Sequence, residues 1–314
     1  MNLSALKNED TDYVLTPLQM KIALYPFSLN FEANRACFPF IHEGKPVVSI
    51  GKNPAPSCIL SHRTAGDMVF RMPNKNREHF FNSIGIPAEK VYSLYQIHSH
   101  DVFILGDSEP DHLRCKGSGE GSSLDIVNPL PLPEVFAQKG DGMVSFTPSV
   151  FLAITAADCL PIFLLDTEKG YFSVLHSGWK GTGIVLKAIE IMQNADSRPE
   201  AITAVLGPCI QSCCYKVDEE RAKYFETEFG PASSNNNIAE YPLGDVIRQE
   251  NADWFINLQA ANARLLAAAG IRHIAYCTDC TYTDTRLGSY RREGAESFTR
   301  MIAMAGTQSA LCRH

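Results

Sequence analysis

Three short segments each set a metal-binding side chain where an apolar run gives way to a turn. They are YQIHSHD with His98 and His100, TAADCLP with Cys159, and LHSGWKGT with His176. A strand end of this kind exposes a side chain in a cleft while its backbone stays rigid. Two imidazoles and one thiolate from three strands would make a three-ligand site with a fourth position open, the arrangement of a catalytic rather than a structural zinc. His100, two residues after His98, is a candidate fourth ligand or proton shuttle if the strand continues through it. Taken one at a time, a strand-end His also reads as a hydrogen-bonded structural residue and a Cys as a small buried hydrophobe.

The elements that must bring these segments together are legible as two periodicities. Short apolar runs bounded by Gly, Pro or Asp predict strands at Val91–Ile97, Phe151–Thr155, Leu160–Leu165, Tyr171–Leu175, Ala201–Leu206 and His273–Cys277. Helical spacing appears at Asn74–Ile84, Thr182–Asn194, Asp218–Glu228 and Asn257–Ala269, with Gly85 and Gly270 as stops. The second of these is apolar nearly all round and should be well buried. Mixed strands and helices imply an α/β or α+β fold, a single-domain sandwich of mixed β-sheet flanked by helices. A hairpin is expected at Asp166–Gly170. Gly106 to Lys139 and Gly230 to Asn237 read as loops or insertions. No glycine-rich phosphate loop is present, so neither a dinucleotide nor a P-loop reading is supported.

Composition narrows the class. The 314 residues include 28 Lys plus Arg against 35 Asp plus Glu, a net charge of −7, which disfavours nucleic-acid and anionic-membrane partners. The longest apolar stretch, Ser149–Leu165, is broken by Asp158 and Pro161 and is not a membrane span. MNLSALKNEDTDY carries charges where a secretory leader needs an apolar run, so the ten cysteines are expected to be reduced thiols in a cytoplasmic protein. Cys277 and Cys280 form a lone C-x-x-C after a strand, read as buried thiols; Cys209, Cys213 and Cys214 are core-packed or oxidation-sensitive. Trp179 and Tyr290 are candidates to stack on a flat substrate, with core packing the competing reading and for Tyr290 the leading one.

In order along the chain, QIHSHDV, GDGMVSF, TAADCLPIFLLD, LHSGWKGT, GPCIQSCCYKVDEE, CTDCTY and GSYRREGAESFTRMIA resemble the motifs of the laccase-domain family. That family is also described as multicopper polyphenol oxidase or peptidoglycan editing factor, and its members are understood as zinc-containing purine nucleoside phosphorylases with adenosine deaminase activity. The resemblance covers about residues 91–305, within one laccase-like domain over 1–314, and makes 106–139 longer than usual. It also implies a metal triad of His98, Cys159 and His176, the three residues selected above. Gln211 and Ser212 stand where the family has Gly and Pro, and Phe298 and Thr299 precede Arg300 where it has Thr-Gly-Arg.

On that resemblance the expected cofactor is Zn2+, with copper the alternative, and the substrates are purine nucleosides (adenosine, inosine, methylthioadenosine) and phosphate. Water activated by zinc would attack C6 of adenine during deamination. Asp158 and Asp141 are the candidates for proton transfer, or for orienting the imidazoles. Phosphorolysis also requires a phosphate site. Thr285 to His314 holds five arginines, Arg286, Arg291, Arg292, Arg300 and Arg313, against Glu293 and Glu296. Arginine's planar fork suits phosphate; Arg292 and Arg300 are the first choices, Arg63 and Lys180 the next. Two other functions fit the same residues. A copper polyphenol oxidase would need several closely spaced His pairs, and among nine His only His98 and His100 form one. A metal-free Cys-His hydrolase acting on peptidoglycan precursors would use Cys159 as nucleophile with His176 or His98 as base. Oligomeric state is not legible.

Overall fold

Leu160 to Asp166 is buried at every position, and its alternate residues belong to two different cores. Leu160, Ile162 and Leu164 face helices, whereas Phe163 and Leu165 face a second sheet. A strand covered on both faces has no polar side, which is why this run reads as continuously apolar. The computed structural model describes residues 21–70, 72–105, 138–230 and 243–307.

Thirteen strands make the two main sheets. In chain order they are β1 (Ala23–Phe27), β2 (Phe31–Glu32), β3 (Arg35–Phe38), β4 (Ser57–Ser61), β5 (Val91–Tyr92), β6 (Val102–Leu105) and β7 (Gly142–Ser145), followed by β8 (Phe151–Ala156), β9 (Leu160–Asp166), β10 (Phe172–Ser177), β11 (Ile202–Leu206), β12 (His273–Cys277) and β13 (Met301–Gly306). The seven-stranded sheet runs β1-β12-β11-β9-β10-β7-β6 and the six-stranded sheet β2-β3-β4-β13-β8-β5. Both are mixed: β1, β12 and β11 are parallel neighbours, while β11-β9-β10-β7 are antiparallel. Helices α2 (Ile184–Asn194), α3 (Glu219–Phe229) and α4 (Leu258–Ala268) cover the outer face of the first sheet, and α1 (Lys75–Ile84) covers the second through Phe80, Phe81 and Ile84. The order is therefore helix, sheet, sheet, helix, and the fold is the expected mixed α+β sandwich, with two stacked sheets in place of one.

Local chemistry explains the helix ends. Asn74, Asp218 and Asn257 cap α1, α3 and α4 by accepting backbone N–H bonds, and Gly85 closes α1 at φ 66°. The expected hairpin joins β9 to β10, where Gly170 turns at φ 78° and places Pro161 opposite His176.

The predicted strand Val91–Ile97 ends at Tyr92. Beyond it the Gln96 side chain replaces a backbone neighbour for β8, exchanging hydrogen bonds with the Thr155 N–H and C=O, both at 2.8 Å. Strands in 21–61 and β6, β7 and β13 were not anticipated. Those in 21–61 are short or interrupted by Pro, Gly and Asn, as around Lys45–Pro46 and Asn53–Pro54, and β6 and β7 are four residues each; β13, a buried six-residue run, lacks β-branched residues apart from Ile302. Most of the expected 106–139 insertion, residues 106–137, lies outside the described residues, as does most of the expected loop at 230–237. Among the described residues no helix is long and apolar enough to cross a membrane.

Candidate metal centre

The turn between β8 and β9 carries the chain from one sheet to the other, and Cys159 sits on it. Asp158 holds that turn at φ 86°, a left-handed conformation costly for a branched side chain. It is fixed from three sides. Its Oδ1 accepts from the Thr281 hydroxyl at 2.6 Å, its Oδ2 from the Arg291 N–H at 2.7 Å, and its carbonyl from the Ile210 N–H at 3.0 Å. The sheet register then sets His176 of β10 beside Cys159, because Pro161 is its partner across the ladder.

His98 reaches the same place from a loop, not from a strand end as expected, and its backbone is left-handed at φ 61°. Asp141 organises that loop. Its fully buried carboxylate accepts from the Ile97 N–H at 3.1 Å, the Ser99 N–H at 2.7 Å and the Ser99 hydroxyl at 3.1 Å. Its other oxygen accepts from His176 Nδ1 at 2.9 Å. One carboxylate thus captures the N–H groups that would have continued the strand, and it leaves His176 Nε2 as that ring's free nitrogen.

The ligand atoms of His98, Cys159 and His176 all lie within 4.8 Å of one another. The two imidazoles meet edge to face, 4.9 Å between centroids. Gly178 is required behind them: a Cβ there would stand 2.9 Å from Cys159 Sγ and 3.1 Å from His98 Cδ2. Burial opposes ionisation of the Cys159 thiol, but the charge and hydrogen bonds of His176, then of His98, outweigh it and bring the thiol down to about 6. Burial likewise disfavours the His176 imidazolium, and the Cys159 charge with the Asp141 hydrogen bond raises it to about 9. Burial raises the Asp141 carboxyl, yet His176 and the Ser99 and Ile97 N–H groups together hold it below the usual carboxylate range. The group is a charge-separated thiolate and imidazolium when it carries its proton. A divalent metal displaces that proton, and two imidazoles plus one thiolate are a donor set of the borderline-soft kind that zinc takes.

A cavity of about 440 Å³ opens on this group, within the size range of small-molecule sites. Its walls are aromatic and cationic. Phe70, Trp179, Tyr215, Tyr290 and Phe298 line it together with Arg221, Arg291 and Arg300. Arg221 lies 4.4 Å over the Trp179 ring, and Arg300 lies 4.1 Å over Phe298 while its guanidinium pairs with Asp67 at 3.0 Å. Tyr290 is exposed to the cavity, not core as expected.

The other expected residues stand elsewhere. Arg292 does not line the cavity; its guanidinium is spent on the carbonyls of Thr281, Tyr282, Asp284 and Leu287 and on Glu293. Arg63 pairs with Glu293 at 3.2 Å, and Lys180 lies 5.4 Å over Trp179 outside the cavity lining. His100 turns its Nε2 to the Thr182 carbonyl at 3.0 Å. Arg286 is taken by Asp284, and Arg313 lies outside the described residues. Two cavity arginines were passed over: Arg221, which follows the Asp218 cap into α3, and Arg291, counted in the basic cluster but not selected. The capping pattern ahead of Arg221 was legible, but its place in the cavity wall beside Trp179 was not.

A family model described as multi-copper polyphenol oxidoreductase laccase matches residues 65–308. A protein from Deinococcus radiodurans named purine nucleoside phosphorylase is 35% identical over 234 residues, 74% of this chain and 76% of its own length. Adenosine deaminase RL5, from an unknown prokaryotic organism, is 31% identical over 166 residues, 50% of this chain and 58% of that protein. The crystal structure of YlmD from Geobacillus stearothermophilus superposes with a TM-score of 0.66 over 90% of this chain and 99% of that chain; at 22% identity the likeness is one of fold.

Proposed function

The chain belongs to the multi-copper polyphenol oxidoreductase laccase family, and we propose that it is a zinc-dependent purine nucleoside phosphorylase that also deaminates adenosine. The observation that carries this reading is the His98–Cys159–His176 group at the floor of a cavity walled by aromatic rings and arginines. The names of its relatives, a purine nucleoside phosphorylase and an adenosine deaminase, support the same substrate class. Oxidase chemistry on several coppers has less support: among the described residues, this is the one group of three candidate ligands that contains an imidazole.

When bound to the triad, zinc supplies Lewis acidity to the reacting centre. The residues of the chain do the rest. Flat apolar walls at Trp179, Tyr290 and Phe298 suit a purine ring, which stacks on aromatic faces and leaves its polar edge for hydrogen bonds. Arg291, 5.4 Å over the Tyr215 ring, and Arg221 line the same cavity and are the phosphate site in this reading, with Arg221 also 3.5 Å from Asp218 and Arg291 donating one N–H to the Lys216 carbonyl at 2.9 Å. Arg300, already neutralised by Asp67, serves phosphate less well and steers Phe298. Asp158 is the carboxylate among the residues lining the cavity; its oxygens hold the Thr281 hydroxyl and the Arg291 N–H, and a proton at the leaving base or at N1 of adenine would be held or passed through that network. Asp141 is a positioning residue, since all its side-chain hydrogen bonds go to His176 and the His98 loop.

Incubation of the metal-replete protein with adenosine and inorganic phosphate tests the reading. Adenine with ribose 1-phosphate is expected, and inosine with ammonia when phosphate is omitted. Absence of all these products, or their undiminished formation after Cys159→Ala, contradicts it.

A further inference from the structure

Outside the cavity, a second cluster of soft ligands stands on the loops that follow β11 and β12. The Sγ atoms of Cys213, Cys214 and Cys280 lie within 4.8 Å of one another. Cys213 and Cys214 are adjacent in sequence and 3.4 Å apart at sulfur, too far for a bond and near enough to share a ligand. We infer that Cys213, Cys214 and Cys280 form a three-thiolate site for a soft monovalent cation of the copper(I) class.

The two loops are held together by backbone bonds, so the sulfurs are placed by the fold and not by chance contact of flexible side chains. Cys209 and Cys280 form an isolated parallel bridge, with the Thr281 N–H donating to the Cys209 carbonyl at 3.1 Å. The Gln211 N–H donates to Cys280 Sγ at 3.4 Å, and the Cys214 N–H returns to the Gln211 carbonyl at 2.9 Å, closing a tight turn that carries both adjacent cysteines. Cys280 is buried and Cys213 exposed, and a cavity of about 620 Å³ opens beside them, so the cluster has an anchored end and an open mouth.

The donor set selects the cation. Three sulfurs with no imidazole suit copper(I), which is satisfied by trigonal thiolate coordination, whereas a structural zinc takes four protein ligands and a three-ligand zinc must complete its shell with water. The nearest carboxylates in that cavity are committed elsewhere. Asp279 accepts from the Leu29 N–H, and Asp284 holds Arg286 through bonds of 3.0 and 2.7 Å. Binding involves no change of oxidation state: each thiol gives its proton to solvent and donates a sulfur lone pair to a cation that remains copper(I). The Arg248 guanidinium, paired with Glu250, donates to the Ser212 carbonyl at 3.0 Å and so tethers the turn that carries the two adjacent cysteines. The sequence reading placed Cys213 and Cys214 in the core or among oxidation-sensitive thiols, and grouped Cys280 with Cys277. Cys277 and Cys280 are both buried, as expected, with Cys277 in the inter-sheet core and Cys280 on the loop that holds the cluster.

The test uses the full-length chain carrying Cys159→Ser, so that the first site cannot retain copper through its thiolate. Under reducing, anaerobic conditions the protein competes with bathocuproine disulfonate for copper(I). The expected result is one copper(I) held per chain, an all-sulfur coordination sphere by X-ray absorption, and affinity at least 100-fold weaker after Cys280→Ser. Cys213→Ser, at an exposed position, should lose affinity by a similar factor with an unchanged melting temperature. Retention of copper(I) by the Cys213→Ser protein overturns the inference, as do nitrogen or oxygen ligands at the copper, or preferential binding of zinc when both ions are offered.

Discussion

Replacing Asp141 with Asn is the sharpest probe of how the metal centre is positioned, because the change is isosteric and its effect can be worked from four hydrogen bonds. One carboxylate oxygen accepts from Ile97 N–H, Ser99 N–H and Ser99 Oγ–H at 3.1, 2.7 and 3.1 Å, and the other from His176 Nδ1–H at 2.9 Å. An amide offers one acceptor and one donor, so it must fail one side. If its NH2 faces His176, that ring must accept at Nδ1 and carry its proton on Nε2, where it blocks ligation. If its NH2 faces Ile97 and Ser99, two backbone donors lose a buried acceptor and the His98 loop shifts. Hydrogen bonds to a charged group are worth about 1.5–3 kcal/mol each, and loss of such a supporting carboxylate typically weakens a metal site about 10–100-fold. Zinc competition against a chelating dye should therefore show Asp141→Asn weaker by about 10–100-fold, with adenosine turnover at limiting zinc falling in parallel. Zinc affinity within twofold of wild type would refute the argument that Asp141 sets the His176 tautomer and the His98 loop.

Four further outcomes follow from the same geometry. In metal-free protein, alkylation of Cys159 by iodoacetamide should rise with pH through a midpoint near 6, because the thiolate is the reactive form and His176 and His98 hold the thiol down; in His176→Ala the midpoint should move up by at least one pH unit, and an unmoved midpoint would remove His176 as the cause. Gly178→Ala should lower zinc affinity by about tenfold while costing about 1–3 kcal/mol in stability, since its methyl meets Cys159 Sγ at 2.9 Å; titration of zinc and a denaturant melt read the two effects separately. Arg221→Ala and Arg291→Ala should each raise KM for phosphate at least tenfold with a smaller effect on KM for adenosine, as expected for charged groups lining the cavity. Arg292→Ala should instead leave KM for phosphate within threefold and destabilise the fold by about 3 kcal/mol, because its guanidinium ties four carbonyls.

The two periodicities found the strands that matter most, since β8 to β12 are buried runs whose neighbours leave them no alternative. They also located the four long helices among the described residues, three of which carry Asn or Asp caps as local signals, while α2 starts at Gly183 without one. Two stacked sheets were not legible, because a run buried on both faces does not say whether a helix or a second sheet covers it. The triad residues were selected on residue type and position alone, yet His98 was placed on a strand it does not occupy. What bends the chain there is the Asp141 carboxylate, over forty residues away in sequence, and no window around His98 contains it. Of the two first-choice arginines, Arg300 lines the cavity and Arg292 does not, for a related reason. Motif position favoured Arg292, but a guanidinium surrounded by backbone carbonyls is not available to a ligand, and only the fold reveals those carbonyls. Arg221 was overlooked because it stands on a helix with an ordinary amphipathic pattern.

In the proposed function, one metal ion held by His98, Cys159 and His176 makes this chain a nucleoside-processing enzyme. The most direct measurement is metal content beside adenosine turnover with phosphate, on the same preparations of wild type and Cys159→Ala. One zinc per wild-type chain with release of adenine and ribose 1-phosphate is expected, and loss of both zinc and product in the variant. Several coppers per chain with oxidation of phenols, or turnover that persists in zinc-free Cys159→Ala protein, would contradict it.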